Sequence, residues 1–302
     1  MPAIKSTSLT ERIGLVGLGL MGTAFAERLL RGRFAVLGWD ISATQRTALR
    51  RLGGQTAKRA AEVAASCRRL ILSLPQLDEV NDWLREGGSS LRRGQILIDT
   101  TTGAPDQTVK LARALAKRGV IYLDATISGN SDEVRAGNVT VLVGGPKEAV
   151  EQGQDLFRLF AKQVIHTGPS GSGTKMKLVT NLVLGLNRAA LAEGLVFARA
   201  LGLDATQALH VLSKTTAYSR IMDTKGAKMV RGDFKAQARL SQHLKDVQLM
   251  LAAARKAAVQ LPLSRTHRQL LERAQTAGYG QLDNAAIIRV IGAKPASALR
   301  NR

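Results

Sequence analysis

The sequence predicts an α/β unit built on a doubly wound, mainly parallel sheet, followed by a second unit made of helices alone. Three observations support this. From residue 12 to about residue 166, short apolar runs alternate with stretches of helical period, the order of βαβ units. After Gly173 the strand patterns stop and long helical periods take over. Between the first apolar run and the first helix lies a turn with Gly17, Gly19 and Gly22 in G-x-G-x-x-G spacing.

In order, strands are expected at 13–16, 35–39, 70–74, 96–98, 121–123, 139–143 and 163–166, each a Val/Ile/Leu-rich run bounded by polar or glycine residues. Helices are expected between them at 23–31, 43–52, 79–84, 105–118 and 146–161, then at 174–201, 205–212, 242–258, 263–277 and 284–291. Asp204 with Gln207 reads as a helix start, and Gly202, Gly278 and Gly280 read as stops. A chain of 302 residues with 45% hydrophobic content can bury two cores, so the division is placed at 1–172 and 173–302.

The glycine turn carries the first chemistry. A backbone that approaches a pyrophosphate needs positions without a Cβ: Gly17 to turn, Gly19 for close approach, Gly22 to pack helix on strand. Residues Gly17, Leu18, Gly19, Leu20, Met21 and Gly22 would then present backbone N–H groups and the positive end of the helix to phosphates. About twenty residues on, the second strand ends in Asp40, where a ribose hydroxyl is expected. Together these predict an N-terminal Rossmann domain that binds a dinucleotide. Asp40 repels a 2′-phosphate and so favours NAD, while Arg46 a helical turn further on leaves NADP open.

Other strand ends fall on the same rim: Leu74-Pro75, the run from Asp99 to Thr102, and the run from Asp124 to Asn130. Thr102 and Ser128 supply hydroxyls, and Gly129 leaves a backbone N–H open to a carboxylate. Singly, each is ordinary turn chemistry; on one rim they make a site.

Further on, a glycine-rich crossing, Gly168 to Gly173, feeds a long helix carrying Lys177 and Asn181 at i, i+4, on one face. A lysine sunk among apolar neighbours has a lowered pKa, suited to trading a proton with an alcohol oxygen. Asn181 can hold the same oxygen or orient the amine.

Composition limits the alternatives. Cys67 is the single cysteine, which excludes an intrachain disulfide and a cysteine metal cluster, and no metal site is expected. Residues 1–12 lack the apolar core of a signal peptide, and the apolar stretch 178–201 is broken by Asn181, Asn187, Arg188 and Glu193, so a soluble, cytoplasmic protein without a membrane span is expected. The formal charge of +21 suggests a polyanion partner. Against nucleic acid stand an aromatic content of 4% and a charge spread along helix faces rather than gathered in a stripe.

These motifs resemble the β-hydroxyacid dehydrogenases, the group of 3-hydroxyisobutyrate dehydrogenase, tartronate semialdehyde reductase and the glyoxylate/succinic semialdehyde reductases. The resemblance runs from Arg12 to Ile291: IGLVGLGLMG, Leu74-Pro75, Asp99-Thr-Thr-Thr102, Asp124-Ala125 to Ser128-Gly129, Lys177 with Asn181, and Lys245-Asp246. It implies a Rossmann domain followed by an all-α domain, and hydride transfer between NAD or NADP and a small β-hydroxyacid or the matching semialdehyde. It also implies a homodimer or homotetramer built through the helical part. Lys177 would be the catalytic acid/base, assisted by Asn181; Ser128 and Gly129 would bind the substrate carboxylate; Lys245 would lie at the nicotinamide.

Thr126, Asn130 and the Glu133-Val134 pair depart from the family's Asp-Ala-Pro-Val-Ser-Gly-Gly pattern and the Gly-Ala pair after it, and Ala238 stands where some semialdehyde reductases carry an aromatic. Asn130 is expected to help choose the substrate. Two alternatives remain: an imine reductase, which typically has Asp or Tyr in place of Lys177, and a non-catalytic polyanion- or nucleic-acid-binding homologue.

Overall fold

The computed structural model describes residues 11–292. The basic tail Lys294, Arg300 and Arg302, and most of the N-terminal segment read above, lie outside the described residues. The chain divides after Lys177 into two compact units.

The first unit holds strands β1 (Arg12–Val16), β2 (Ala35–Trp39), β3 (Gln55–Thr56), β4 (Arg69–Leu72), β5 (Ile96–Asp99), β6 (Ile121–Ser128), β7 (Val139–Gly144) and β8 (Ala161–Gly168). They form one sheet in the order β3-β2-β1-β4-β5-β6-β7-β8. All neighbours are parallel except β6 and β7, which run antiparallel. β1, β4 and β5 are almost wholly buried, as strands covered on both faces must be. Strand order reverses between β1 and β4, the place where open α/β sheets bind ligands.

Helices α1 (Leu20–Arg31), α2 (Ala43–Arg51), α3 (Ala60–Ser66), α4 (Leu77–Gly87), α5 (Pro105–Ala116), α6 (Ser131–Ala136), α7 (Lys147–Gln152) and α8 (Gln154–Phe160) cover the sheet. One core lies under α1, α6 and α8, where Phe25 and Phe160 meet edge to face at 4.8 Å. The other lies under α3 and α4 around Val63, Val80 and Trp83.

The second unit is helical, from the long α9 (Ser172–Ala200), which begins in the first unit, through α10 (Ala205–Leu212), α11 (Ala227–Arg231), α12 (Leu240–Lys256) and α13 (Pro262–Ala274) to a 3-10 segment at Asn284–Val290. Its core joins Leu191 and Leu195 of α9 with Leu244, Val247 and Met250 of α12, Leu271 of α13, and Ile287. Among the described residues α9 is the single helix long and apolar enough to cross a membrane by length and composition. Leu191 and Leu195 turn into this core, while Val179, Val183, Leu184 and Phe197 of the same helix are exposed.

The expected long helix at 146–161 is two short ones, parted at Gly153 where the chain bends before packing Phe157 and Phe160 inward. The short α3, α6, α11 and β3 were not expected. They are too brief to show a period.

Candidate active site

The turn after β1 is built as its glycines require. Gly17 has φ +86°, and a Cβ there would collide with the carbonyl oxygen of Ser73 at the end of β4. A Cβ on Gly22 would strike the carbonyl oxygen of Gly17. Gly19 differs: nothing lies within 4 Å of where its Cβ would be, so the space over it is open. Gly19 is also the N-cap of α1 and supplies no side-chain cap, so the first-turn N–H groups of Leu20, Met21 and Gly22 face that opening with the helix dipole behind them. Leu18 is buried, while Leu20 is exposed at the mouth.

Asp40 closes the cradle from the β2 side. Its Oδ2 accepts from the Leu18 N–H at 2.7 Å and its Oδ1 from the Ser42 N–H at 2.8 Å, so the carboxylate is fixed against the glycine turn. Each oxygen keeps a further lone pair for a hydroxyl. Arg46 folds back, its Nη1 donating to the carbonyls of Asp40 at 2.5 Å and Ile41 at 3.1 Å, and Ile41 itself stands 86% exposed. An open phosphate cradle, uncapped helix N–H groups and a carboxylate beside them fit a dinucleotide.

The loops after β4 and β5 lie beside this turn. The Leu74 N–H donates to Thr101 Oγ1 at 3.4 Å, tying the Leu74-Pro75 segment to the one that leads to Thr102. Asp99 anchors that second loop: its Oδ1 accepts from the Thr101 N–H at 2.8 Å, and its Oδ2 from the Tyr122 hydroxyl at 2.6 Å. Burial pushes the Asp99 carboxyl up to about 6, against the lowering effect of those two hydrogen bonds.

Asp124 corrects the rim reading. β6 continues to Ser128, so Asp124 sits within the strand, paired with Asp99 of β5. Its carboxylate faces the start of α9, accepting from Gly171 N–H at 2.7 Å and Thr174 N–H at 2.8 Å, and burial raises its pKa. Thr126 supports the same junction, its hydroxyl donating to the Gly173 carbonyl at 3.1 Å.

Ser128 ends β6, half-buried, and Gly129 follows at φ +149°, a conformation that glycine permits. Asn130 is the N-cap of α6. Its Oδ1 accepts from the N–H groups of Asp132 and Glu133, while Glu133 Oε2 accepts from the Asn130 backbone N–H at 3.0 Å and from Nδ2 at 2.9 Å. Two separate departures from the family pattern, Asn130 and Glu133, thus form a single capping box. Sequence reasoning passed over it, although N-x-x-E spells it. One Nδ2 hydrogen of Asn130 is not engaged in the box.

On α9, Lys177 and Asn181 are both buried, at 8% and 5% exposure. In the helical unit Asn181 Nδ2 donates to Asp246 Oδ2 of α12 at 2.9 Å, and Lys245 is the half-buried residue before it. The structure therefore gathers Gly17 to Gly22, Asp40, Leu74, Pro75, Thr102 and Ser128 to Asn130 along the carboxyl ends of β1, β2, β4, β5 and β6. It separately joins Asn181 to the Lys245-Asp246 pair.

Two family models cover this chain: the NAD binding domain of 6-phosphogluconate dehydrogenase matches residues 12–168, and the NAD-binding domain of NADP-dependent 3-hydroxyisobutyrate dehydrogenase matches residues 171–291. The chain is 31% identical to 2-(hydroxymethyl)glutarate dehydrogenase of Eubacterium barkeri, over 92% of this chain and 94% of that one. It is 28% identical to 2-hydroxy-3-oxopropionate reductase of Escherichia coli K12, over 93% and 97%. Among solved structures, 3-hydroxyisobutyrate dehydrogenase from Salmonella typhimurium superposes with a TM-score of 0.85 at 25% identity, covering 93% of this chain and 100% of that one. The chain belongs to the β-hydroxyacid dehydrogenase family and is an NAD(P)-dependent oxidoreductase.

Proposed function

We propose that the protein interconverts a small β-hydroxyacid and the matching semialdehyde, with Lys177 moving the hydroxyl proton. The observation that carries this is a buried lysine one helical turn before a buried asparagine, whose amide is fixed by a carboxylate from another helix. The nicotinamide, when bound, accepts or returns the hydride. The glycine turn and the first N–H groups of α1 would hold its phosphates, and Asp40 its adenosine ribose, with Leu74, Pro75, Thr102 and Lys245 along the rest of its length. Ser128 Oγ and the Gly129 N–H would hold the substrate carboxylate, with Thr102 beside them. In the oxidative direction the neutral Lys177 amine takes the proton from the 3-hydroxyl oxygen; in the reductive direction the ammonium returns it as the alkoxide forms. Asn181, turned by Asp246, holds that oxygen in line.

Asp40 fixed at the ribose position and an uncharged Ile41 after it support NAD as the preferred cofactor. Residues 1–172 would be the dinucleotide-binding domain, and 173–302 the all-α substrate and oligomerisation domain of a homodimer or homotetramer. We place the enzyme in the cytoplasm. Turnover of a panel of 3-hydroxy acids and semialdehydes, followed by NAD(P)H absorbance with each cofactor in turn, tests the reading. Turnover of at least one pair with NAD is expected, and a silent panel with both cofactors overturns it.

A further inference from the structure

Beneath the rim of the sheet unit, Asp99 of β5 and Tyr122 and Asp124 of β6 are buried on one face of two paired strands. The Tyr122 hydroxyl donates to Asp99 Oδ2 at 2.6 Å, and Asp99 Oδ1 accepts from the Thr101 N–H at 2.8 Å. Thr101 is buried in turn, and its Oγ1 accepts from the Leu74 N–H at 3.4 Å. A continuous line of contacts therefore runs from the interior of β6 through Asp99 and Thr101 to Leu74. From there it reaches the glycine turn, because a Cβ on Gly17 would collide with the Ser73 carbonyl oxygen and meet Leu74 Cδ2 at 3.0 Å.

The sheet fixes the stems of these loops: the Ser73 N–H donates to the Val16 carbonyl at 2.8 Å, and the Thr100 hydroxyl to the Leu72 carbonyl at 2.7 Å. One residue further along each loop, Leu74 and Thr101 hold each other. The Thr101 hydroxyl has one hydrogen, and an oxygen that accepts from Leu74 must send that hydrogen elsewhere. Asp99 is the acceptor beside it. Burial raises the Asp99 carboxyl to about 6, hydrogen bonding from the Thr101 side chain and then from Tyr122 pulls the other way, and above that pH the group is ionised. Burial, and then the Asp99 charge, hold the Tyr122 hydroxyl well above its usual range, so it remains a donor. Asp124, the second carboxylate on this face, is committed to the N–H groups of Gly171 and Thr174.

Resting on the proposed place of Leu74 and Pro75 along the cofactor, we propose that Tyr122 is a positioning residue for dinucleotide binding: its hydroxyl fixes Asp99, Asp99 orients the Thr101 hydroxyl, and Thr101 holds the Leu74-Pro75 loop against the glycine turn. Without the Tyr122 hydroxyl, Asp99 Oδ2 is left buried without its donor, a cost relieved when the carboxyl group turns or takes a proton. Either change releases the Thr101 hydroxyl, and the Leu74 N–H loses its acceptor.

The test titrates NADH, at mildly alkaline pH, into Tyr122→Phe and, because a change inside β6 can fail to fold, into Thr101→Val. It also measures kcat and the KM for NAD on the best panel substrate. Each variant should bind NADH about tenfold more weakly, the order of one hydrogen bond, and raise that KM in step, with kcat unchanged. Thr101→Ser, which keeps the hydroxyl, binds as the wild type does, and in the Thr101→Val background Tyr122→Phe costs little more. Wild-type affinity in Thr101→Val or in a folded Tyr122→Phe, losses that multiply in the double variant, no rescue by Ser, or a fall in kcat at unchanged affinity overturns the proposal. Gly19→Val in the same titration separates the two levels, since it fills the open space over the turn. If it binds NADH as the wild type does, the reading of the cradle itself has failed; if it does not bind and only the Tyr122 pattern is missing, the cradle stands without Tyr122.

Discussion

Asp40 holds the glycine turn, and in the proposed reading it would set cofactor choice as well. Its two oxygens fix Leu18 in the glycine turn and Ser42 at the head of α2, so it shapes the cradle it would read from. Asp40→Ser should narrow the NAD preference, measured as the ratio of kcat/KM with NAD to that with NADP, by about tenfold, the order of one hydrogen bond plus a relieved repulsion. A wild type more efficient with NADP contradicts this and points to Arg46, folded over the Asp40 and Ile41 carbonyls. Gly17 and Gly22 were legible because each meets a local steric demand that only glycine satisfies, and Gly19 was legible from its place in the G-x-G-x-x-G spacing. Asp124 was misplaced because its partners, Gly171 and Thr174, lie far along the chain, and no local pattern announces them. Tyr122 as the partner of Asp99 was hidden for the same reason.

At the scale of elements, the loop that would meet the substrate runs directly into a helix cap. Asn130 and Glu133 hold each other and the first turn of α6. Arg135 of α6 pairs with Glu27 of α1 at 3.0 Å, so the capped helix is tied to the glycine-led one. Glycine is itself a tolerated N-cap, so Asn130→Gly should lower stability by only a few tenths of a kcal/mol. It also removes an amide hydrogen beside Ser128 and Gly129. The efficiency ratio for a trihydroxy acid over a monohydroxy acid should fall about tenfold, the value of one hydrogen bond. An unchanged ratio would leave Asn130 a cap and nothing more. Long elements such as α9 and α12 were legible from their period. Elements as brief as α3, α6 and α11 were not, because fewer than three turns carry no period and their existence is decided by what packs on them.

At the scale of the whole molecule, the two-unit order was legible because apolar strand runs recur between helical stretches up to about residue 166 and only helical periods follow. The burial of Arg188 and His267 in the helical unit was not, because a lone arginine or histidine in a helix reads like any other surface residue. The two units should also answer acid in opposite senses. Asp99 in the sheet unit, raised to about 6, binds its proton more tightly when folded, so its contribution is present at low pH and is lost as pH rises through 6. His267 in the helical unit, lowered to about 4, contributes above the usual histidine range, and that contribution is lost as pH falls towards 4. Each is worth roughly 3 kcal/mol at most. In scanning calorimetry, Asp99→Asn should gain on the wild type as pH rises from 4 to 7, and His267→Leu should gain as pH falls over the same window; parallel profiles for variant and wild type would contradict these assignments. The proposed proton transfer by Lys177 is tested by the turnover of Lys177→Ala beside an NADH-binding titration. Binding should survive and kcat should fall by about 10² or more; turnover near the wild type, with cofactor still bound, would contradict that role for Lys177.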